Sequence, residues 1–493
     1  MLRCVLTAVT QIHKMPKRLM TFFDKMSFIF EESRPMRKIL SASVFSLLAA
    51  SLFASGVENK TNMSTGYLRN PSRNTESKRP EASYYNIGGT AFMEDGLHIE
   101  AGNQFVFKEY GNELDTGDAF ASYGLSDYYS NDETTVWLYP DADFVYKHDN
   151  FAVFGNFGVY AGGGSLSYSE GTSATSLLFA SAAASYITQA ATASAAASST
   201  TDTATATAYQ AAAEKASTAA SHLMKVAKKG GHSLDVTSIT YGGQLGLAYL
   251  FLPNLSFAAG VRYVHGTQDM SIYSGYFKEL GNGSDEISYS ANGWAVSPVL
   301  GIHWKPIDIV DLAIQYQSKS SIKYRVEDVS GSLAEDFDIY NGKTFHTDLP
   351  AALNLGAGWQ TLDPLYVSMS FNYYFNYFAD QNSILGETDY DNSWEVALGA
   401  DWKICKYVSY SLGFQYGKQG TTDDSNSTFN PVLDSFCVGT GFELYPMENL
   451  TVTLSALFAK YFDTDYYLSG YKTNLNKSVT NLSIGVTYHF PNL

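Results

Sequence analysis

Fourteen segments of the chain alternate apolar and polar side chains residue by residue. In one of them Leu365, Val367 and Met369 form the apolar series. Ser368 and Ser370 lie between them and form part of the polar series. Strict alternation is typical of a β-strand that meets apolar surroundings on one face only. The sequence therefore predicts an all-β protein whose wall separates an apolar from a polar environment.

The segments are long enough to cross a lipid bilayer. A tilted transmembrane strand needs roughly 9 to 11 residues, and many of the segments exceed that length. They lie near residues 97–109, 134–147, 151–161, 234–252, 254–274, 285–305, 308–329, 344–361, 364–379, 390–404, 407–418, 432–446, 449–463 and 478–490.

The connections between the segments alternate between short and long. Tight links such as 148–150 and 362–363 alternate with long polar stretches such as 110–133 and 464–477. Short turns on one rim and long loops on the other are typical of bacterial outer-membrane barrels. The fold of a soluble β-sandwich does not require short and long loops to lie at opposite ends. We therefore predict a 14-stranded antiparallel transmembrane β-barrel over residues 97–490, in the outer membrane, with extracellular long loops.

The N-terminus carries the features of a secretory signal. Residues 36–56 combine a basic start at Met36-Arg37-Lys38, an apolar stretch and a small-residue cleavage zone. Mature protein is expected to begin near Val57. Residues 1–35 precede a complete signal, which indicates either a start codon assigned too early or an unusually long leader.

Charge and motifs exclude several functions. The formal net charge of −17 argues against nucleic acid as a partner. The sequence contains no zinc-protease motif, no nucleophile elbow and no phosphate-binding loop, so it predicts no catalytic residue, metal site or cofactor.

Residues 173–232 interrupt the alternation with an insert rich in Ala, Ser and Thr. Ala favours helix, and Asp202 is placed to cap a second helix. A helical hairpin is one interpretation, and a flexible low-complexity loop is the other. Loop parity assigns the insert to the extracellular rim.

The run Tyr85-Asn86-Ile87-Gly88-Gly89, followed by residues 94–99 and the first strand, is built differently from the rest of the chain. On residue chemistry it is an entry turn in which two glycines after an Asn allow a backbone turn that side chains would forbid. It also resembles the end of the N-terminal hatch in the FadL/TodX family of outer-membrane transporters for long-chain fatty acids and other hydrophobic compounds. The family motif is Asn-Pro-Ala, and here Ile87 and Gly88 follow Asn86.

The resemblance implies a hatch at residues 57–96 that fills the barrel lumen, with Asn86, Ile87, Gly88 and Gly89 as its motif. The ending Tyr488-His489-Phe490 resembles the aromatic signal that the barrel assembly machinery recognises during biogenesis.

The third segment ends in Gly162-Gly163-Gly164, and consecutive glycines weaken a strand and mark bends. In the FadL family a kink in the third strand opens a lateral window to the membrane lipid, which makes these glycines a candidate lateral opening. The alternative is that they simply begin the long loop.

Cations fall on the inward phase of two segments. On the fifth and seventh segments these cations are Arg262, Lys319, Lys323 and Arg325. They can hold the carboxylate of a ligand, or they can neutralise inward acids such as Glu395 and Asp401.

These features favour passive transport of long-chain fatty acids or similar hydrophobic compounds. One alternative is a surface adhesin or structural protein that acts through the insert. Another is a polar-solute porin, which a plugged lumen disfavours.

Overall fold

The computed structural model describes residues 62–121, 125–126, 128–228, 231–274, 286–331, 334, 338–384, 389–422, 426, 428, 431–468 and 470–491. None of the helices in these ranges is long and apolar enough to cross a membrane. The expected signal at 36–56, the expected upstream extension at 1–35 and the first five residues of the expected hatch lie outside the described residues.

The strands form one antiparallel sheet that closes on itself, because the first strand pairs with the last from Leu97↔Phe490 to Asp115↔Lys472. The strands are β1 Gly96–Asp115, β2 Tyr128–His148, β3 Phe151–Tyr168, β4 His232–Leu252, β5 Leu255–Ser274, β6 Glu286–Ile307, β7 Val310–Gln317, β8 Lys323–Ser330, β9 Thr344–His346, β10 Ala352–Leu362, β11 Leu365–Tyr374, β12 Ser393–Cys405, β13 Val408–Lys418, β14 Ser435–Met447, β15 Leu450–Tyr461, β16 Thr464–Leu468 and β17 Tyr471–Phe490.

Three wall strands are interrupted, so seventeen pieces build fourteen wall strands. Strands β7 and β8 both pair with β6, and β15 and β16 both pair with β17. In the same way, β9 pairs with β8 while β10 pairs with β7. The predicted fourteen-stranded antiparallel barrel is confirmed.

The outer ends of several strands extend beyond their predicted limits. β1 continues to Asp115 and β2 begins at Tyr128, within the stretch 110–133 expected to be a loop. β17 likewise begins at Tyr471 rather than near residue 478. The apolar alternation ends earlier than the strands do, because ladder pairing uses backbone groups and continues where both faces meet water.

The outer face of the barrel is apolar. On β6 the side chains of Trp294, Val296 and Leu300 are exposed, whereas Ala295 and Val299 are buried on the inner face. The alternation read from the sequence thus separates lipid-facing from lumen-facing residues.

Residues 62–93, here called the hatch, cross the lumen. Their elements are α1 Thr65–Arg69, α2 Ala82–Tyr85 and a 3₁₀ helix, Ile87–Phe92. α1 packs on β14, β15 and β17, while the 3₁₀ helix packs on β4, β5 and β6. The hatch therefore contacts opposite sides of the barrel wall.

The insert forms two helices, α3 Ser173–Ser199 and α4 Thr203–Ala227. Asp202 caps α4 by accepting a hydrogen bond from the backbone N–H of Thr205. Near the barrel Leu177 and Leu223 are fully buried, whereas Ile187 and Tyr209 farther out are exposed. The base of the hairpin packs into the barrel mouth, and its distal part projects from it.

Candidate functional site

Buried ion pairs hold the hatch to the wall. The Arg69 guanidinium lies 2.6 Å from a carboxylate oxygen of Asp401 and 3.0 Å from one of Glu443. Arg79 lies 3.0 Å from the same Glu443 oxygen. Since Asp401 belongs to β12 and Glu443 to β14, these contacts join the hatch to two separate wall strands.

The hatch also carries its own internal ion pairs. Arg73 lies 2.9 Å from Glu76 and 3.7 Å from Glu81. Burial lowers the pKa of Arg73, but Asp401, Glu81 and Glu76 outweigh that effect and raise it overall. Burial raises the pKa of the Glu81 carboxyl, an effect that Arg73 opposes. The hatch is thus a charged, internally bonded unit rather than an apolar plug.

The sequence motif of the hatch lies against β5, β6 and β7. The side-chain amide of Asn86 donates to the Glu76 carbonyl at 2.9 Å and lies 2.7 Å from Nδ1 of His303. The Ile87 N–H donates to Oε1 of Gln315 at 2.9 Å. The Gly88 carbonyl accepts a hydrogen bond from the Ser256 hydroxyl at 2.6 Å.

Gly88 and Gly89 allow the hatch backbone to pack closely against neighbouring atoms. They are not needed for the turn that their sequence suggests. Neither has a positive φ. A Cβ on Gly88 would lie 2.8 Å from the backbone nitrogen of His303, and a Cβ on Gly89 would collide with the Glu76 carbonyl oxygen. The turn interpretation was therefore wrong at these two positions, because the glycines allow backbone to pack against backbone.

His303, Gln315 and Ser256 were not predicted as partners of the motif. All three lie on the inward phase of their strands, which the alternation does predict. Their contact with the hatch depends on where the hatch sits in the lumen, and no local pattern encodes that position.

The wall opens between β2 and β3. In the described residues their pairing extends only from His148↔Phe151 to Ala142↔Phe157, although both strands continue well beyond that point. Farther from the tight turn that joins them, β2 still pairs with β1 and β3 still pairs with β4, but β2 and β3 do not pair with each other. We call the space between these two unpaired strand edges the lateral gap.

The triple glycine bends the β3 edge of the lateral gap. The β3–β4 register shifts between Val159 and Ala161 and again between Ala161 and Gly164. Gly162 and Gly164 have φ values of +84° and +86°, a region that favours glycine. The run lies within the strand rather than at its end, so it does not simply begin the long loop.

Among the described residues, few side chains reach across the lateral gap. The Tyr139 hydroxyl of β2 donates to the Val159 carbonyl at 3.3 Å, and Lys108 of β1 donates to the Ser165 carbonyl at 3.1 Å. Trp137 and Leu138 stand at the rim with 67% and 74% exposure. The gap is therefore apolar on its outer side, where it meets lipid.

Aromatic rings connect the hatch to the lateral gap. Tyr67 stacks on Tyr85 at 5.6 Å, and Tyr85 meets Tyr84 edge to face at 4.9 Å. Tyr84 in turn meets Tyr160 on β3 at 5.5 Å. A small cavity of about 20 Å³ borders this row, with room for roughly one water. Its lining residues are Tyr67, Pro71, Asn74, Tyr84, Tyr85, Gln317, Asn354, Asn372 and Tyr374.

Arg262 lies in the lumen beside this aromatic row, on the inward phase predicted for it. Its guanidinium lies 5.7 Å from the centroid of the Tyr160 ring. It donates to Gln317 at 3.1 Å, to Ser320 at 3.1 Å and to the Ser318 carbonyl at 2.8 Å. All of these acceptors are uncharged.

Lys323 and Arg325 point outward, so their predicted place in the lumen was wrong. The pairing with β6 shows why. In β7, Gln317 pairs with Val299, and continuing that register would pair Arg325 with Ala291, but Val326 pairs with Ala291 instead. The register has moved by one residue between β7 and β8, and such a slip exchanges the two faces of a strand.

The same slip buries Ile322, Tyr324 and Val326, which alternate with the cations predicted to face the lumen and would otherwise face outward. Lys319 lies in the interruption between β7 and β8, and its ammonium is 3.0 Å from Asp348. Asp401, expected as a partner of these cations, pairs with the hatch arginines instead. The four predicted cations thus do not form one strip.

A barrel with an apolar outer face, a folded segment across its lumen and a break in one wall ladder defines a plugged outer-membrane channel. Residues 222–490 match the model of the family described as outer membrane protein transport protein (OMPP1/FadL/TodX). Because this match covers more than half of the chain, the chain belongs to that family. It is an outer-membrane protein of a Gram-negative bacterium, from a family of channels for hydrophobic small molecules rather than of enzymes.

Solved structures share the fold at low sequence identity. A Pseudomonas aeruginosa FadL homologue is 16% identical with a TM-score of 0.58, over 89% of this chain and 100% of that one. The Pseudomonas putida toluene transporter TodX is 14% identical with a TM-score of 0.54, over 85% and 97%. The Ralstonia pickettii toluene transporter TbuX is 12% identical with a TM-score of 0.51, over 85% and 98%. The sequence matches no curated protein.

Proposed function

We propose that the protein carries long-chain fatty acids or similar hydrophobic compounds from the barrel mouth past the hatch and out through the lateral gap into membrane lipid. The observation that carries this proposal is the end of the β2–β3 ladder at Ala142↔Phe157. An unpaired strand edge in lipid costs several kcal/mol for each unsatisfied backbone group. A break of this kind is therefore expected only where it serves a purpose.

The route is supported by the side chains that border it. The row of tyrosine rings from Tyr67 to Tyr160 ends on β3 at the lateral gap, and Trp137 and Leu138 give that gap an apolar rim. Aromatic rings offer a ligand large contact areas with little loss of side-chain entropy. No step on this route needs a nucleotide or other energy source.

The preference for an acid rests on Arg262. Its buried guanidinium has uncharged partners, so a ligand carboxylate can bind it with charge-assisted hydrogen bonds. Toluene, named for two of the structural neighbours, offers no such group. We infer that this protein accepts amphipathic acids, with neutral hydrocarbons as the alternative ligands.

A disulfide across the lateral gap tests the route. A Cβ on Gly164 would lie 3.2 Å from Cγ2 of Val136, which brings these positions within reach of a disulfide. We expect Val136→Cys with Gly164→Cys, in a Cys405→Ser background, to lower fatty acid uptake by cells at least about tenfold when oxidised. A reducing agent should restore it.

Each single cysteine variant serves as a control, because neither forms the bridge. Mass spectrometry establishes that the bridge has formed. Wild-type uptake by the fully bridged protein would contradict a route through the lateral gap.

A further inference from the structure

Three carboxylates lie together on the inner face of β1 and β2. Glu100 stands directly opposite Asp143 in the ladder, and Asp141 stands opposite Gly102. All three carboxylates are buried, and each contributes an oxygen to a set whose members lie within 4.8 Å of one another. Like charges directly opposite each other destabilise a sheet, so this arrangement needs compensation.

Several oxygens of this cluster lack a well-aligned hydrogen bond from the described residues. Both oxygens of Asp141 and Oδ2 of Asp143 are buried without a well-aligned hydrogen bond, and the uncharged Gln104 side chain is the neighbour that Asp141 meets. The other Asp143 oxygen accepts from Ser83 of the hatch at 2.6 Å, and Glu100 accepts from Thr487 at 3.0 Å. These two hydroxyls do not neutralise three negative charges.

The hatch directs a further oxygen toward the same place. Thr65 is fully buried, and its hydroxyl also lacks a hydrogen-bond partner among the described residues. A Cβ on Gly102 would lie 2.6 Å from this hydroxyl oxygen and 2.6 Å from Oδ2 of Asp141. Glycine at position 102 therefore leaves room between an unpartnered hydroxyl of the hatch and a carboxylate of the wall.

We propose that Glu100, Asp141, Asp143 and Thr65 bind a divalent cation, with calcium as the preferred ion. Calcium takes oxygen ligands at about 2.3 to 2.6 Å, so two ligands on opposite sides of the ion are separated by up to about 5 Å. Magnesium binds at about 2.0 to 2.1 Å and requires a tighter set. The carboxylate oxygens lie within 4.8 Å of one another, and the longer bonds and more flexible coordination of calcium accommodate such a set more readily.

The site lies where a bound cation joins the hatch to the wall. Ala142, the last β2 residue in the β2–β3 ladder, lies between Asp141 and Asp143. A cation shared by these carboxylates and Thr65 ties the hatch to the wall at the foot of the lateral gap. Its binding requires only the folded chain and is measured without any transported ligand.

The test is calcium binding by the full chain purified in detergent and stripped with EDTA. We expect about one calcium per chain by elemental analysis after calcium is restored and excess is removed. We also expect calcium to raise the midpoint of the heat-induced gel-mobility shift, because a ligand that binds only the folded state stabilises it. Asp141→Asn should lower the calcium affinity at least tenfold, and Thr65→Val should lower it several-fold without changing charge.

Asp380→Asn is the matched control, since Asp380 belongs to another His and carboxylate group that Lys319 approaches. It should bind calcium like the wild type. Gel mobility establishes that each variant is folded. Absence of calcium binding by the folded wild type would overturn the proposal and leave protons to neutralise the carboxylates. Unchanged binding by folded Asp141→Asn would overturn it as well. Neither result depends on uptake, so the calcium proposal and the transport proposal can fail independently of each other.

Discussion

Arg262 is the predicted ligand-binding cation whose surroundings best fit that role. Lys319 is paired with Asp348, and Lys323 and Arg325 face outward. Arg262 instead lies among uncharged acceptors beside Tyr160. None of these acceptors carries a charge, so we expect an anionic ligand to be the partner of the Arg262 charge.

We expect Arg262→Gln to lower the uptake of a long-chain fatty acid about tenfold or more and to leave uptake of a neutral hydrocarbon unchanged. A hydrogen bond to a charged group contributes about 1.5 to 3 kcal/mol, and about 1.4 kcal/mol corresponds to a factor of ten. Arg262→Lys keeps the charge and should retain much of the activity. Uptake of both radiolabelled compounds by cells is the measurement. An equal fall for both would speak against carboxylate recognition.

The base of the helical hairpin is bonded to the barrel wall, whereas its distal part projects from the barrel mouth. Thr175 bonds to His232 of β4, and the Ser173 N–H donates to Asn112 of β1 at 2.9 Å. These contacts anchor the base of α3 to the wall. An insert that begins beyond the last alternating residue is thus still part of the barrel mouth.

We expect deletion of the distal hairpin, residues 188–212 replaced by a short Asp-Gly link, to leave barrel stability unchanged. Deletion of residues 173–228 should lower the midpoint of the heat-induced gel-mobility shift by several degrees. The larger deletion removes buried side chains such as Leu177 and Leu223, and losing a buried leucine side chain costs about 2 to 5 kcal/mol. If both deletions melt like the wild type, the base contributes nothing to the wall.

On the scale of the whole molecule, charge links the hatch to the barrel. Arg69 and Arg79 of the hatch form ion pairs with Asp401 and Glu443 on the wall. Removing one partner of a buried ion pair is destabilising by about 3 to 5 kcal/mol, because it leaves an uncompensated charge. We therefore expect the position of the hatch in the lumen to depend on these wall carboxylates.

Replacing Asp401 with Asn and Glu443 with Gln should release the hatch while the barrel stays folded. We expect higher conductance in planar bilayers and faster tryptic cleavage after Arg69 and Arg73 than in the wild type. Asp465→Asn is the control, because its ion pair with Lys472 at 2.8 Å is largely exposed and exposed pairs contribute little. Wild-type conductance and cleavage in the double variant would show that other contacts hold the hatch.

The sequence alone was enough to predict the wall, because alternation is a local property of each strand and loop length is read directly along the chain. It also determined the cap of α4 at Asp202, which acts on a backbone group three residues away. In the same way it identified the triple glycine as a place where β3 departs from a regular ladder, although it left open what that departure does.

The folded structure was needed to show which strand edges stay unpaired, which charges meet and which way one wall strand faces. The apolar series through Tyr316 and Tyr324 continues in phase along the sequence, yet a one-residue slip relative to β6 places these residues on opposite faces. The partners of Arg69 lie more than 330 positions away, and the end of the β2–β3 ladder depends on how two strands diverge in space. Register and long-range contact are properties of pairs of segments, so no pattern within a single segment encodes them.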